Sequence, residues 1–414
     1  MAIRDVFATY ARFSADTFWP GFDPHSVPLA LFDGEQTWLF GYPGTPPGFA
    51  PAAESGLLVS AGRHPAILAN STSDVDGVLV ATLIVDRAML RKSAAVAALA
   101  LHEAFHVYQR RAHPEWAANE ADLFTYPASQ FQIVAQTNLE RYALKRALHQ
   151  RNAAAWAALA MDFRHTRFAA MPPAAVQYER QTELMEGLAH YVELQALGLP
   201  PRGLTDAALE LRSRCYTSGA AMAFLLDQLS PGWQQRLEAG DASSLDALVA
   251  TAPAVRQAVP DIFPPREHAA ILLDAQQAVT ESAATMRETR RAFFAQPGAQ
   301  LVMHAAPGAP LRVRGFDPMN VTVLGNGEVL HSRYLALESA GATLELLDGA
   351  AITLAAGAHP LFDGVQTVTL AGLPPQQLPA SSDSPLAITL PGVRLEAAAA
   401  RVKWVAATLT VHLA

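Results

Sequence analysis

Five consecutive residues carry the clearest chemical signal in the chain, His102-Glu103-Ala104-Phe105-His106. Histidines four positions apart on a helix lie one above the other on the same face. Two imidazoles so placed can grip one Zn2+ through bonds of about 2.0–2.1 Å each. Glu103, next in sequence, can then reach a water on the open side of the metal and take its proton as general base. The turns before the motif are apolar, with Val96, Ala97, Leu99 and Ala100, so this helix reads as buried. Buried polar groups need partners, because one left without costs about 1–3 kcal/mol. A metal is such a partner for two histidines and a glutamate. A surface helix that happens to carry two histidines is the alternative that spacing alone leaves open.

A catalytic zinc takes three protein ligands and keeps a fourth position open. The segment expected to supply the third is Glu183-Leu184-Met185-Glu186-Gly187-Leu188-Ala189-His190-Tyr191-Val192-Glu193. Glu186, His190 and Glu193 fall at i, i+4 and i+7, which is one helix face. Glu183 and Glu179 extend that face towards the N-terminus, while Leu184, Leu188, Tyr191 and Leu194 follow a separate apolar stripe. A solvated acidic face has the same pattern. Gly187 argues against it, since glycine inside a helix costs about 1 kcal/mol relative to alanine. A glycine beside a glutamate there points to a close backbone approach, as between crossing helices. Glu186 is therefore the expected third ligand.

The elements that must position these groups are legible in outline. Residues 1 to 18 read as an amphipathic helix, with Phe7, Tyr10, Ala11 and Phe18 at helical spacing. Short strand-like runs follow at Leu29 to Phe32, Thr37 to Tyr42, Gly56 to Ala61 and Val78 to Val85, separated by turn residues. Asp86 reads as the N-cap of a helix over 87–111 that carries the motif, and His113-Pro114 stops it. The pattern is then nearly all helical, with helices expected near 128–151, 153–170, 173–198, 206–229 and 266–294. Beyond Gln296-Pro297-Gly298 apolar and polar residues alternate in short runs such as Val321-Thr322-Val323-Leu324 and Ala387-Ile388-Thr389-Leu390, the pattern of an all-β sandwich. The expected fold class is α+β: a small mixed sheet and active-site helix in 1–115, a helical part carrying the third ligand in 116–296, and an all-β domain in 297–414.

Composition narrows the function classes. Of 414 residues, 51% are hydrophobic and 16% charged, which suits a chain burying a large core rather than a disordered one. A net charge of -8 and the lack of a basic run argue against nucleic acid as partner, because phosphate binding needs clustered Lys and Arg. The single cysteine, Cys215, can close no internal disulfide and reads as packing. No run approaches the ~20 apolar residues needed to span a bilayer. Met1 to Tyr10 shows no basic start followed by an apolar run, so a cytoplasmic chain is expected.

The strand, the His102-Glu-x-x-His106 helix and the later Glu186-Gly187-Leu188-Ala189-x-Tyr191-x-Glu193 segment together resemble the gluzincin metallopeptidases. They are most similar to the compact bacterial minigluzincins, and more distantly to aminopeptidases carrying an Asn-Glu-Gly-Phe-Ala motif. The resemblance spans residues 77 to 235 and implies a zincin-like fold and zinc-dependent cleavage of peptide or protein substrates. It implies Glu186 as third zinc ligand and Glu193 as a group orienting a ligand histidine, with His190 and Glu183 in the same surrounding layer. The run Arg214-Cys215-Tyr216-Thr217-Ser218-Gly219-Ala220-Ala221 is similar to minigluzincin sequences and implies Tyr216 as donor to the oxyanion formed during attack. A tyrosine packed on the zinc helix is the other reading of Tyr216, and Arg212 or Arg214 could meet a substrate carboxylate. The resemblance also implies that Val78–Val85 is an edge strand adding an extended peptide, against an ordinary central strand. The chain departs from the pattern it resembles in carrying Met185 where the aminopeptidases have Asn, His190 where thermolysin-like enzymes have an acid, and 80 residues between His106 and Glu186 (186 − 106). The alternatives are a zinc hydrolase of non-peptide amides or esters, and a non-catalytic, zinc-stabilised binding protein with His190 as fourth ligand.

Overall fold

The computed structural model describes residues 2–53, 56–201, 204, 210–260, 263–317, 320–347, 349–380 and 385–414. It is a mixed α/β protein with an N-terminal sheet, a helical middle and a C-terminal sheet-rich region. The chain divides into two compact units, Met1–Asn119 with Pro127–Gln276, and Glu120–Tyr126 with Gln277–Ala414. The expected 1–115 and 116–296 parts thus share most of one unit, and residues 277–296 belong with the β-rich one.

In the first unit, helix α1 (Ala2–Tyr10) is followed by strands β1 (Leu29–Phe32), β2 (Gln36–Phe40), β3 (Ala50–Pro51), β4 (Leu57–Ala61), β5 (Ser71–Val75) and β6 (Val78–Ile84). They form one sheet in the order β3-β4-β2-β1-β6-β5, in which β1 and β6 are parallel. Alternation sorts the side chains. Leu29, Leu31, Ala81 and Leu83 face a core shared with α1, while Ala30, Leu39, Val75 and Val80 pack on Phe49 and Ile67 across the other face. The strand expected at an edge, Val78–Val85, is paired on both sides, parallel to β1 and antiparallel to β5. It offers no free backbone; the edge belongs to β5, whose alternating Ser71-Thr72-Ser73-Asp74 run is too polar to stand out as a strand.

Two helix expectations change. The N-terminal helix ends at Tyr10 rather than 18. Asp16 adopts a left-handed φ of 57°, and Phe13 and Phe18 reach the core from a loop. The helix expected over 87–111 is two helices, α2 (Arg87–Leu90) and α3 (Ser93–Ala112). Asp86 caps α2 by accepting from Met89 N–H at 2.7 Å, but Lys92 sits outside helical geometry at φ -109° and ψ 61°, so the chain restarts at Ser93. The middle continues through α4 (Phe131–His149), α5 (Ala153–Ala169), α6 (Pro173–Thr182), α7 (Leu188–Leu197) and α8 (Leu211–Leu229). Residues 206–209, the expected start of α8, lie outside the described residues. Short helices α9 (Trp233–Glu238), α10 (Leu245–Thr251) and α11 (Pro253–Gln257), too brief to show a period, precede the long α12 (Pro265–Phe294).

The helix expected over 173–198 is continuous but not uniform. Between α6 and α7 lies a single π-turn, Glu183–Gly187, in which Leu188 N–H bonds Glu183 O. Gly198 closes α7 at a φ of 62°.

The second unit contains β7 (Ala299–His304), β8 (Arg312–Phe316), β9 (Val321–Gly325), β10 (Glu328–His331), β11 (Leu335–Ser339), β12 (Ala342–Leu346), β13 (Ala351–Ala355), β14 (Val365–Leu373), β15 (Leu386–Leu390), β16 (Val393–Ala397), β17 (Ala400–Val405) and β18 (Thr408–Leu413). A seven-stranded sheet, β17-β18-β7-β14-β13-β10-β9, and a five-stranded one, β15-β16-β12-β11-β8, contribute to one buried cluster. Leu301, Val368 and Leu409 of the first meet Leu337, Leu344 and Leu395 of the second, so the sheets pack face to face as the alternation requires. Among the described residues no helix is long and apolar enough to cross a membrane.

Candidate metal centre

Helix α3 packs against β6 on one side and α7 on another. Its apolar stripe of Val96, Ala97, Ala100, Leu101, Ala104 and Phe105 is buried, which turns His102, Glu103 and His106 towards the segment containing Glu186. Helix α8 crosses that segment at the closest backbone distance glycine allows. A Cβ on Gly187 would stand 2.6 Å from Gly219 Cα and 3.0 Å from Cys215 O, and one on Gly219 would stand 2.8 Å from Glu183 O. The close approach read from Gly187 is thus present, with Gly219 as its counterpart.

Three side-chain atoms converge. His102 Nε2 and His106 Nε2 are 3.1 Å apart. Glu186 Oε2 is 3.2 Å from His106 Nε2 and 3.9 Å from His102 Nε2. The hydrogen-bond network fixes the protons. Gln109 Nε2 donates to Leu184 O and Met185 O at 2.9 and 3.0 Å, so the atom it presents 2.8 Å from His106 Nδ1 is its oxygen. An amide oxygen only accepts. His106 therefore carries its proton on Nδ1 and a lone pair on Nε2. His102 Nδ1 lies 3.2 Å from Glu193 Oε2 without the alignment of a hydrogen bond; the Nδ1–H tautomer, which that carboxylate favours, leaves a second lone pair on Nε2.

Glu186 Oε2 is buried and has no hydrogen-bond partner. Three electron-rich atoms thus face one another with nothing donated between them. Dividing the product of the triangle's sides by four times its area puts a common centre about 2.0 Å from every corner, against metal–ligand lengths of ~2.0–2.2 Å for His and carboxylate. The donor set fits a divalent cation such as zinc, and His102, His106 and Glu186 form a group that could hold it.

The surroundings orient each ligand. Arg212 Nη2 donates to Glu186 Oε1 at 2.6 Å, leaving Oε2 for the centre. Glu193 Oε2 also lies 3.1 Å from His190 Nδ1, so one carboxylate bridges two imidazoles and His190 stands one residue removed from the triad. The Tyr216 ring stacks on His102 with centroids 6.0 Å apart and planes 14° off parallel, and burial, with the Glu186 charge adding, raises the pKa of its hydroxyl.

Burial and charge set the protonation of these groups. Burial pushes the Glu103 carboxyl up to about 7, with the Glu186 and Glu193 charges adding and His106 opposing. Burial also pushes Glu186 and Glu193 up, but it is outweighed. The neighbouring His106, ahead of Tyr216 and Arg212, holds Glu186 at about 2, and His102 and His190 hold Glu193 at about 2. Burial lowers His102, whereas at His106 the Glu186 carboxylate overcomes burial and the pKa ends above its ordinary value.

Glu183 does not join this group, against expectation. It turns away from the histidines, and Arg164 clasps it at 2.6 and 2.7 Å while Ser218 Oγ donates to it at 2.6 Å. Glu179, placed by spacing on the same face, pairs instead with Arg167. Two residues of the site escaped the sequence reading. Gln109 stands seven positions after His102 on the same α3 face, a spacing that could have shown it. Arg212, weighed for a substrate carboxylate, engages Glu186 instead. Cys215 is buried and unpaired, and burial raises its thiol pKa, in keeping with packing. Comparison with protein-family models, with curated proteins and with solved structures finds no match for this chain.

Proposed function

We propose that the chain is a zinc-dependent hydrolase that cleaves peptide bonds, with His102, His106 and Glu186 holding the metal and Glu103 acting as general base. The observation that carries this reading is the meeting of three lone-pair atoms around a point about 2.0 Å from each, the bond length zinc requires. Bound zinc supplies a Lewis acid that polarises a carbonyl oxygen and acidifies water. Glu103 takes a proton from the attacking water and returns it to the leaving amine. Its carboxylate makes no hydrogen bond to another side chain among the described residues, which leaves it available. His190 Nδ1 lies against Glu193, and His190 is not grouped with His106 and Glu186, which supports an open fourth corner over a closed structural site. Tyr216, whose ring stacks on His102, is the donor proposed for the oxyanion. Extended substrate adds along β5, the free edge beside β6.

The test is Glu103→Gln in the full chain, with zinc content and digestion of a peptide library measured together, and ester and non-peptide amide substrates run alongside. Retained zinc with peptide cleavage reduced about 10²–10⁴-fold supports the assignment. Retained zinc with undiminished cleavage defeats it.

A further inference from the structure

Gln109 is wholly buried and uses three hydrogen-bonding positions on two elements far apart in sequence. Its oxygen accepts from His106 Nδ1 on its own helix. Its nitrogen donates to Leu184 O and Met185 O, the two residues before Glu186. The π-turn creates the need for those donors. Leu188 N–H bonds Glu183 O, one carbonyl further back than an α-helix would use, so Leu184 O loses its helical donor. Gln109 replaces it from the neighbouring helix. The same turn separates Glu183, which points to Arg164, from Glu186, which points to the histidines.

We propose that Gln109 is the positioning residue of the candidate metal site: its amide oxygen fixes the His106 tautomer while its amide nitrogen holds the π-turn that aims Glu186, so one side chain sets ligands on both elements. Neither task can be shared out. An acceptor alone would orient His106 and leave the turn open, and a donor alone would cap the turn and release the imidazole. Metal sites tolerate ligand displacements of only about ±0.2 Å, so slackening either contact is felt at the centre.

The inference rests on the zinc reading, and its test separates the two. Zinc affinity of the full chain is measured by competition with a chromophoric chelator for wild type, Gln109→Leu and Gln109→Glu, and thermal stability of the metal-free forms is recorded in parallel. Groups that orient metal ligands usually govern affinity about 10–100-fold, and Gln109→Leu is expected to weaken zinc by that factor. Gln109→Glu keeps an acceptor for His106 but offers the carbonyls no donor, and is expected to fall between the two; it also carries the test should the leucine variant not fold. Selective 15N-histidine labelling of the metal-free chain adds a readout that needs no metal. His106 is expected as the Nδ1–H tautomer in wild type and to shift towards Nε2–H in Gln109→Leu. A wild-type chain that takes up no zinc defeats the zinc reading, and the tautomer measurement then decides the inference alone. Zinc affinity of both variants within about twofold of wild type, or an unmoved His106 tautomer, overturns it, even where thermal stability falls.

Discussion

A methyl group added at Gly219 lands 2.8 Å from both Glu183 O and Gly187 Cα, and one added at Gly187 lands 2.6 Å from Gly219 Cα. These are backbone atoms of packed helices, and carbon atoms rest comfortably at about 3.5–4.0 Å. The π-turn and α8 must therefore part by roughly 1 Å. Alanine is the better helix former by about 1 kcal/mol, whereas overpacking costs typically 1–3 kcal/mol. Because no flexible side chain can swing aside, overpacking wins, and Gly219→Ala is expected to destabilise by roughly 1–2 kcal/mol, with Gly187→Ala worse. Glu186 adjoins Gly187, so a shift of that size also exceeds the ±0.2 Å tolerance of a metal site and zinc affinity falls with stability. Urea denaturation of the metal-free chain followed by tryptophan fluorescence reads the effect, since Trp19, Trp38, Trp116, Trp156 and Trp233 all lie in the unit that holds the crossing. Gly341→Ala, whose methyl would enter open space, is the control. A Gly219→Ala chain as stable as wild type and equally avid for zinc would refute the reasoning.

Zinc at a hundred times its dissociation constant is expected to stabilise the first unit by about 2.7 kcal/mol, and Glu186→Gln to remove most of that gain; chelator-controlled melting curves measure both. Arg164 is fully buried between Glu140 and Glu183, so Arg164→Met takes the arginine from buried Glu183 and leaves Glu140 to Arg167, and is expected to cost roughly 3–5 kcal/mol in denaturant titrations. Asp246 is buried against Arg180 at 2.7 Å. Burial raises its pKa, but the Arg164 charge and the Arg180 hydrogen bonds outweigh it, and the pKa ends below the ordinary aspartate value. A lowered folded pKa gives stability that is complete above the unfolded value of about 3.9 and lost as pH falls through the folded one. Asp246→Asn is therefore expected to flatten the acid limb of the stability–pH curve below about pH 4, and an unchanged limb counts against this account.

What the sequence revealed followed from periodicity and spacing. The i, i+4 histidines, Glu186 and Glu193 are all local patterns on a helix, and the structure brings them to one place. Gly187 was readable because a glycine that lowers helix propensity implies a reason elsewhere. The misses are non-local. Spacing assumed a uniform 100° per residue, and the π-turn breaks that assumption, which is why Glu183 and Glu179 leave the face they were assigned to. They enter a network of Arg164, Arg167 and Glu140 contributed by α4 and α5, and no single window of sequence shows that these charges meet. The link from Gln109 to the π-turn escaped for the same reason, since Leu184 O lies 75 residues away on another element. The central place of β6 depended on recognising β5, whose polar run carries little strand signal.

The remaining question at the centre is whether a proton could do what is assigned to a cation. A proton on His106 Nε2 is the simplest way to relieve the facing lone pairs, and Glu186 does hold the His106 pKa above its ordinary value. A hydrogen bond, however, is close to linear. From Nε2 it can point along the 3.2 Å line to Glu186 Oε2 or along the 3.1 Å line to His102 Nε2, and whichever it takes, one acceptor stays uncompensated in a buried pocket. Protonating both histidines would cure that but would set two like charges 3.1 Å apart, where burial already disfavours the charged form of His102. A single divalent ion meets all three atoms at once and asks each for the lone pair it already presents. The outer contacts agree: Gln109 takes up the His106 Nδ1–H, Glu193 faces His102 Nδ1, and Arg212 takes the oxygen of Glu186 that faces away, so these partners favour lone pairs turned inward.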